Sequence, residues 1–213
     1  MAEPIMEQPL RSFLDTLASN APTPGGGSVA AVSGAMAAGL VSMVCAITEG
    51  KKQFAEYADE IARIHLQAEA IRRDLQALAQ QDVDIFGRLA AAYKLPRTTD
   101  ADAASRKSAI QQVTQHAAEI PLRTAQTTAA LLPLCTALAP RCSRLIVSDI
   151  GVAAALARAT VQSAILNIEI NLAGLDDQRY VREVRAQIED MLIGMSEEIE
   201  GIMQIVRSRI NGA

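Results

Sequence analysis

The chain has no tryptophan, and aromatic residues make up only 3% of it. Half of its residues are nonetheless hydrophobic. The apolar content is therefore carried by Ala, Leu, Ile, Val and Met, a set that favours helices over strands. A basic excess is also missing. The net charge of −4 gives no electrostatic footprint for nucleic acid, and that class of partner is set aside. Cysteine is scarce: Cys45, Cys135 and Cys142 are odd in number and match no metal-ligand spacing. They read as buried free thiols of a reducing compartment. The opening "MAEPIMEQPL" lacks the basic region and short apolar run of a signal peptide, so a cytoplasmic protein is expected.

Strand-like alternation is absent as well, and the expected fold is all-α. With 213 residues the chain suits one domain with a sizeable core. Residues 1–9 are expected to form a loose arm, and residues 10–213 a single compact helical bundle. "LRSFLDTLAS" suits one short helix, stopped by "NAPTP". From Phe54 to Tyr93 apolar residues recur three or four apart, among them Ile61, Ile64, Ala68, Ile71, Leu75, Leu78, Ile85 and Leu89. Thr99 or Asp100 should cap the next helix, which Pro121 and Pro133 should divide or kink. A further stripe, from Val181 through Ile188, Met195 and Ile202 to Ile210, predicts one last helix over 177–210.

Two segments differ from these amphipathic ones. Ser28–Thr48 and the helix expected from Asp149 to about Gly174 are apolar nearly all round and rich in small residues, so they should sit centrally. Val29–Ile47 is long enough to span a bilayer. However, Ala, Gly and Ser dominate it, and no basic cluster or aromatic belt flanks its N-terminal side. Gly34 and Ala38 stand four apart, which suits close helix packing. A core helix is the preferred reading, without a membrane.

Asp82 is the most informative polar residue. At 100° per residue it falls inside the Leu75, Leu78, Ile85 and Leu89 stripe, whereas Asp84 falls opposite. A carboxylate on a core face must be paired, hydrogen-bonded or facing a cavity. Desolvation would raise its pKa towards the range of a general acid/base, although a buried Asp bonded to a helix end or an Arg would satisfy the same pattern. Asp149, Ala153, Thr160, Ser163, Asn167 and Asn171 share one angular sector. They suit either interhelical hydrogen bonds or the wall of a polar pocket, and Asp149 also suits a helix N-cap. Asn167 and Asn171 are the stronger ligand candidates, because two amides need many partners.

Gly25, Gly26 and Gly27 lead into the first small-residue helix, with Ser28 as its candidate N-cap. Such a segment offers backbone N–H groups to a ligand. Lys51 and Lys52 could attract an acidic substrate or simply be solvated. His65 and His116 are isolated, and no metal site or nucleophile triad is recognisable.

The segments "FLDTLASNAPTPGGGSVAAVSGAMAAGLVSMV", "TEGKK", "DVDIF", "KLPRTT", "IPL" and "SDIGVAAALA…NIEINL" occur in an order and spacing that resemble the cyclodeaminase/cyclohydrolase family of folate enzymes. The likeness covers about residues 11–207. Its wording is most similar to the bacterial methenyltetrahydrofolate cyclohydrolase branch, although the family's usual "LPKNT" stands here as "LPRTT". The resemblance implies an all-helical subunit that dimerises with its own kind. It also implies a tetrahydrofolate derivative bound in a cleft at the glycine-rich segment, with no metal and no cofactor beyond that substrate. The catalytic aspartate of the family then matches Asp82, a few residues before Phe86. Gly25, Gly26, Gly27 and Ser28 would position the folate, and Asp149, Asn167, Asn171, Lys51 and Lys52 are the remaining binding candidates. Cyclohydrolase chemistry is the first expectation, cyclodeaminase chemistry the second, and a non-catalytic helical binding protein the third.

Overall fold

The computed structural model describes residues 4–212, and among them there are eight α-helices and no strand. They are α1 (Leu10–Leu17), α2 (Gly26–Thr48), α3 (Ala58–Tyr93), α4 (Asp100–Ala129), α5 (Leu131–Leu138), α6 (Val147–Leu172), α7 (Gln178–Leu192) and α8 (Met195–Asn211). Lys52–Tyr57 forms a 3-10 turn before α3, and Ala139–Arg141 another before α6.

Four long helices make the body. α2 packs on α3 and α6, and α4 packs on α3 and α6 from the other side. The small side chains of α2 and α6 are what permit this. Ala37, Ala38, Ala153, Ala154 and Ala157 are all 0% exposed. Gly34 lies so close to Thr128 Oγ1 that an added Cβ would be 2.7 Å from it. The expected central pair is thus present, and it joins the main core with Ile61, Ile64, Leu131, Ile150 and Ile202. Both α2 and α6 are long and apolar enough to cross a membrane, but 56% and 44% of their most apolar windows are buried against other helices. The rest of each faces outward.

Several local expectations need correction. α4 is not divided at Pro121, which lies inside it, whereas the chain does divide at Ala130, so that Pro133 falls in the first turn of α5. The last helix is two. Gly194 takes φ +73, a left-handed conformation that suits glycine and ends α7. The 181–206 stripe therefore feeds two cores: Val181, Val184 and Ile188 join Leu122 and Ile168, while Met195, Ile199, Ile202 and Val206 join the main cluster. Within the expected arm, residues 1–3 lie outside the described residues. Ile5, however, is 7% exposed, packs with Phe13 and Leu78, and donates its N–H to Gln80 Oε1 at 3.0 Å. Thr99 caps α4 in a reciprocal box with Asp102. Thr98 donates to the same Asp102 carboxylate, so "LPRTT" serves a helix start here.

Candidate active site

The first turn of α2 has no side-chain cap of its own. Its N-cap is Gly25, and the first N–H bonded within the helix is that of Val29, to Gly25 O. Ser28 is therefore not the cap but lies inside the first turn. Its hydroxyl donates to Asp82 Oδ2 at 2.7 Å, and its backbone N–H bonds the same carboxyl group. Asp82, carried on α3, thus caps α2 from a neighbouring helix.

This arrangement requires glycine at 27. A Cβ there would overlap Asp82 Oδ1. The Asp82 carboxyl lies directly on the helix backbone, beside the N–H groups of Gly26 and Gly27 that precede the hydrogen-bond ladder. Burial raises its pKa above the ordinary value, and the Ser28 hydrogen bonds oppose that shift without cancelling it. Asp84 is exposed on the opposite face, where it accepts from Gln80, as the helical pattern predicts.

Asp82 faces a cavity of about 330 Å³ lined by Gly25, Gly26, Gly27, Asn167, Asn171, Phe86 and their neighbours. α6 supplies its polar wall. Asn167 donates to Ser163 O at 2.8 Å, and Asn171 donates to Asn167 O at 2.8 Å and Ala117 O at 3.2 Å. With their N–H groups held by backbone, the two amides keep carbonyl oxygens free as acceptors. Phe86, Leu89 and Ile170 make an apolar lip. Phe86 is 43% exposed and Ile170 72%, large apolar surface beside a carboxyl group.

Asp149, Lys51 and Lys52 are not brought to this pocket. Asp149 stands in the first turn of α6, behind the N-cap Ile146, so it is neither cap nor pocket wall. It shares an angular sector with Asn167 but lies on the order of 27 Å away along the helix. Lys51 and Lys52 follow the far end of α2, where they line a separate cavity of about 220 Å³. Conversely, Pro22, Thr23, Ile85, Phe86, Leu89, Ala117 and Ile170 line the pocket without having been singled out as binding residues. Phe86 and Leu89 were within reach, standing four and seven residues after Asp82 on the same face.

A larger cleft, about 550 Å³, lies between α3 and α5. Ile64, Ile71, Pro133 and Leu134 line it, with Arg63 and Gln67 as its polar groups. It offers no carboxylate or histidine, whereas the Asp82 pocket holds a desolvated carboxyl group. His65 pairs with Glu49 at 2.8 Å on the surface. The three cysteines are buried and unpaired, as expected, and burial pushes Cys45 and Cys135 up to about 12 and Cys142 to about 11. Among the described residues no group of His, Cys, Asp and Glu could hold a metal ion.

Fold and site together define an all-helical protein with one desolvated carboxyl group in a cleft of glycine backbone and amide acceptors. A family model described as formiminotransferase-cyclodeaminase matches residues 9–190, and the chain belongs to that family. It is 38% identical over 202 residues to a methenyltetrahydrofolate cyclohydrolase of Methylorubrum extorquens, covering 95% of this chain and 97% of that protein. It is 35% identical over 194 residues to a formimidoyltransferase-cyclodeaminase of Sus scrofa, covering 88% of this chain but 35% of that longer protein. A solved structure of a formiminotetrahydrofolate cyclodeaminase from Thermotoga maritima superposes with a TM-score of 0.81 at 29% identity, covering 98% of both chains.

Proposed function

We propose that this protein is a methenyltetrahydrofolate cyclohydrolase, acting as a homodimer in the cytoplasm without membrane or nucleic-acid partners. The observation that carries the reading is the Asp82 carboxyl group, pressed on the glycine backbone of α2 and held by Ser28 at the wall of a cavity. The likeness to the Methylorubrum extorquens enzyme along nearly the whole of both chains supports it.

The chemistry asks little beyond one proton carrier. Water adds to the electrophilic carbon that bridges N5 and N10 of the substrate, and Asp82 takes a proton from it as the carbon–oxygen bond forms. The bond from that carbon to N5 then breaks, and Asp82 returns its proton to N5. The remaining hydroxyl proton leaves to solvent as the formyl carbonyl forms on N10. A carboxyl group of raised pKa serves both steps better than an ordinary one, because acceptance and return are more evenly balanced. The free carbonyl oxygens of Asn167 and Asn171 would accept from pterin N–H groups or the attacking water. The flat faces of pterin and benzoyl rings suit Phe86 and Ile170. No metal or further cofactor takes part.

A second reading keeps the site and changes the substrate. N10 of 5-formiminotetrahydrofolate would attack the formimino carbon, and ammonia would leave with a proton from Asp82. The likeness to the Thermotoga maritima cyclodeaminase along its full length favours it. A non-catalytic binding protein is the third. One paired assay separates them, comparing wild type with Asp82→Asn. Faster-than-spontaneous loss of methenyltetrahydrofolate absorbance that needs Asp82, with no ammonia from the formimino compound, establishes the cyclohydrolase. Asp82-dependent ammonia release moves the assignment to the cyclodeaminase. Equal inactivity of two folded proteins on both substrates leaves only the binding reading.

A further inference from the structure

Ser28 points its only hydroxyl proton in an unusual direction. A serine or threonine inside a helix commonly bonds back to the carbonyl four residues before it. Thr48 does so to Val44 O at 2.6 Å, Thr124 to Ile120 O at 3.1 Å and Ser163 to Ala159 O at 2.7 Å. Ser28 instead reaches across to α3 and donates to Asp82 Oδ2 at 2.7 Å. The residue is 0% exposed, so its hydroxyl acts on a ligand only through Asp82.

The two oxygens of the Asp82 carboxyl group are therefore unlike. Oδ2 is turned to Ser28, behind the cavity wall. Oδ1 lies over Gly27, in the place that a Cβ would take. Gly27 and Asp82 line the cavity, whereas Ser28 does not. Among the described residues no side chain donates to Oδ1. A hydroxyl has one proton to give, and a neutral carboxyl group has one O–H and one oxygen that only accepts. With Ser28 donating to Oδ2, that oxygen remains the acceptor whether Asp82 is ionised or neutral, and an incoming proton goes to Oδ1. The carboxyl group then has no need to turn between taking a proton and returning it, and fixed orientation of a reacting group lowers its barrier. No second charge competes for it. α2 contains no Asp, Glu, Lys or Arg. α4 brings Ala117 to the cavity, α6 brings Asn167, Ile170 and Asn171, and the other α3 side chains there are apolar.

We propose that Ser28 is a positioning residue: it pins Oδ2 of Asp82 in both protonation states and leaves Oδ1, on the cavity side, as the one oxygen that takes and returns the proton. Ser28 itself stays neutral and transfers nothing. The pinning rests on the geometry alone, and its part in turnover rests on the folate-enzyme reading. Because the Ser28 bonds oppose the effect of burial on Asp82, loss of the hydroxyl also leaves the carboxyl group holding its proton more tightly.

Two measurements test the parts separately. Ser28→Ala removes the hydroxyl but keeps the backbone N–H that bonds the same carboxyl group, so α2 retains its cap. Ser28→Cys keeps the size and weakens the donor, and it replaces Ser28→Ala if that variant does not fold. The first measurement needs no turnover. The protein carries NMR-active carbon at its aspartate carboxyl groups, and the Asp82 signal is the one missing from Asp82→Asn. Its titration midpoint should rise in Ser28→Ala by about one pH unit, the scale of one hydrogen bond to a carboxylate, with Ser28→Cys in between. An unmoved midpoint overturns the pinning. The second measurement is kinetic. The acid limb of kcat/KM should move up with that midpoint. On the plateau above it, where Asp82 is ionised in every variant, kcat should fall roughly ten-fold with KM within about two-fold of wild type. A plateau kcat equal to wild type means that the hydroxyl tunes the group without fixing Oδ1, and overturns the proposal. A midpoint that moves while the acid limb stays in place overturns the functional reading of Asp82 instead, as does an inactive wild type. The carboxyl titration stands apart from both.

Discussion

The two ends of α2 are built from the same kind of helix and do opposite things. At the N-terminal end three glycines strip the backbone bare, and a carboxyl group from α3 lies on it as the cap. At the C-terminal end Thr48 bonds back to Val44 O, Glu49 pairs with His65, and two lysines stand in solvent. Desolvation separates the ends. Asp82 is held where its charge is costly and its proton affinity rises, whereas the Glu49–His65 pair stays in water, where screening leaves it little consequence. Chemistry is expected only at the first end, although the second has more charge.

The largest expected effect is at Asp82. Asp82→Asn keeps an acceptor for Ser28 but removes the proton carrier, and kcat should fall by ~10²–10⁴-fold, the usual share of a general acid/base. The variant should be no less stable than wild type near neutral pH. The sign follows from the raised pKa. A group whose folded pKa lies above its unfolded value stabilises the fold below the unfolded value, and that contribution is lost as pH rises through the folded pKa. Urea titrations across that window should show wild type weakening as pH rises and Asp82→Asn changing less. In the active enzyme the acid limb of kcat/KM should lie above the ordinary aspartate value of about 3.9. A limb at or below that value would contradict the desolvated geometry.

Gly27→Ala comes next. The added methyl overlaps Asp82 Oδ1, so the carboxyl must leave the helix start, and at least a ten-fold loss of kcat should accompany ~1–3 kcal/mol of overpacking strain. Gly34→Ala sharpens the contrast from the middle of the same helix. Its Cβ would meet Thr128 Oγ1 at 2.7 Å and Leu75 Cδ1 at 3.2 Å, so stability should fall by about 1–3 kcal/mol while KM of the folded fraction is unchanged. The smallest effect belongs to the far end. His65→Ala should cost about 0–1 kcal/mol in chemical denaturation and leave turnover as it was. A large kinetic effect there would erase the difference between the two ends.

Much of this was legible in the sequence for one physical reason: helical periodicity reports angle. It placed Asp82 inward and Asp84 outward, and aligned Asn167 with Asn171. It does not report height. Asp149 shares their sector but stands at the other end of α6, and the lysines follow the end of α2 opposite the glycines that begin it. Composition marked the glycine run as a candidate ligand segment, but not that a distant residue would cap it. Ser28 was therefore read as the cap when it is the donor to Asp82. The apolar stripe of the last third runs on past Ile193 and Gly194, so only a conformational requirement at Gly194 separates α7 from α8, and periodicity carries no trace of it. The lip residues Phe86 and Leu89 share the face of Asp82 and could be found from it, whereas Ile170 looks like an ordinary core position until the open cavity distinguishes it.

The three sealed thiols give the molecule an internal stopwatch. Cys45, Cys135 and Cys142 share one cluster with Leu131, Ile150 and Ile202, and their protons are held far above neutral pH. An alkylating reagent can therefore reach them only when that cluster opens. The rate at which label appears, followed by mass, becomes a direct reading of how often the bundle comes apart under native conditions. If all three sulfurs take up label together, the bundle opens as a single unit; if Cys142 leads, the turn before α6 loosens first.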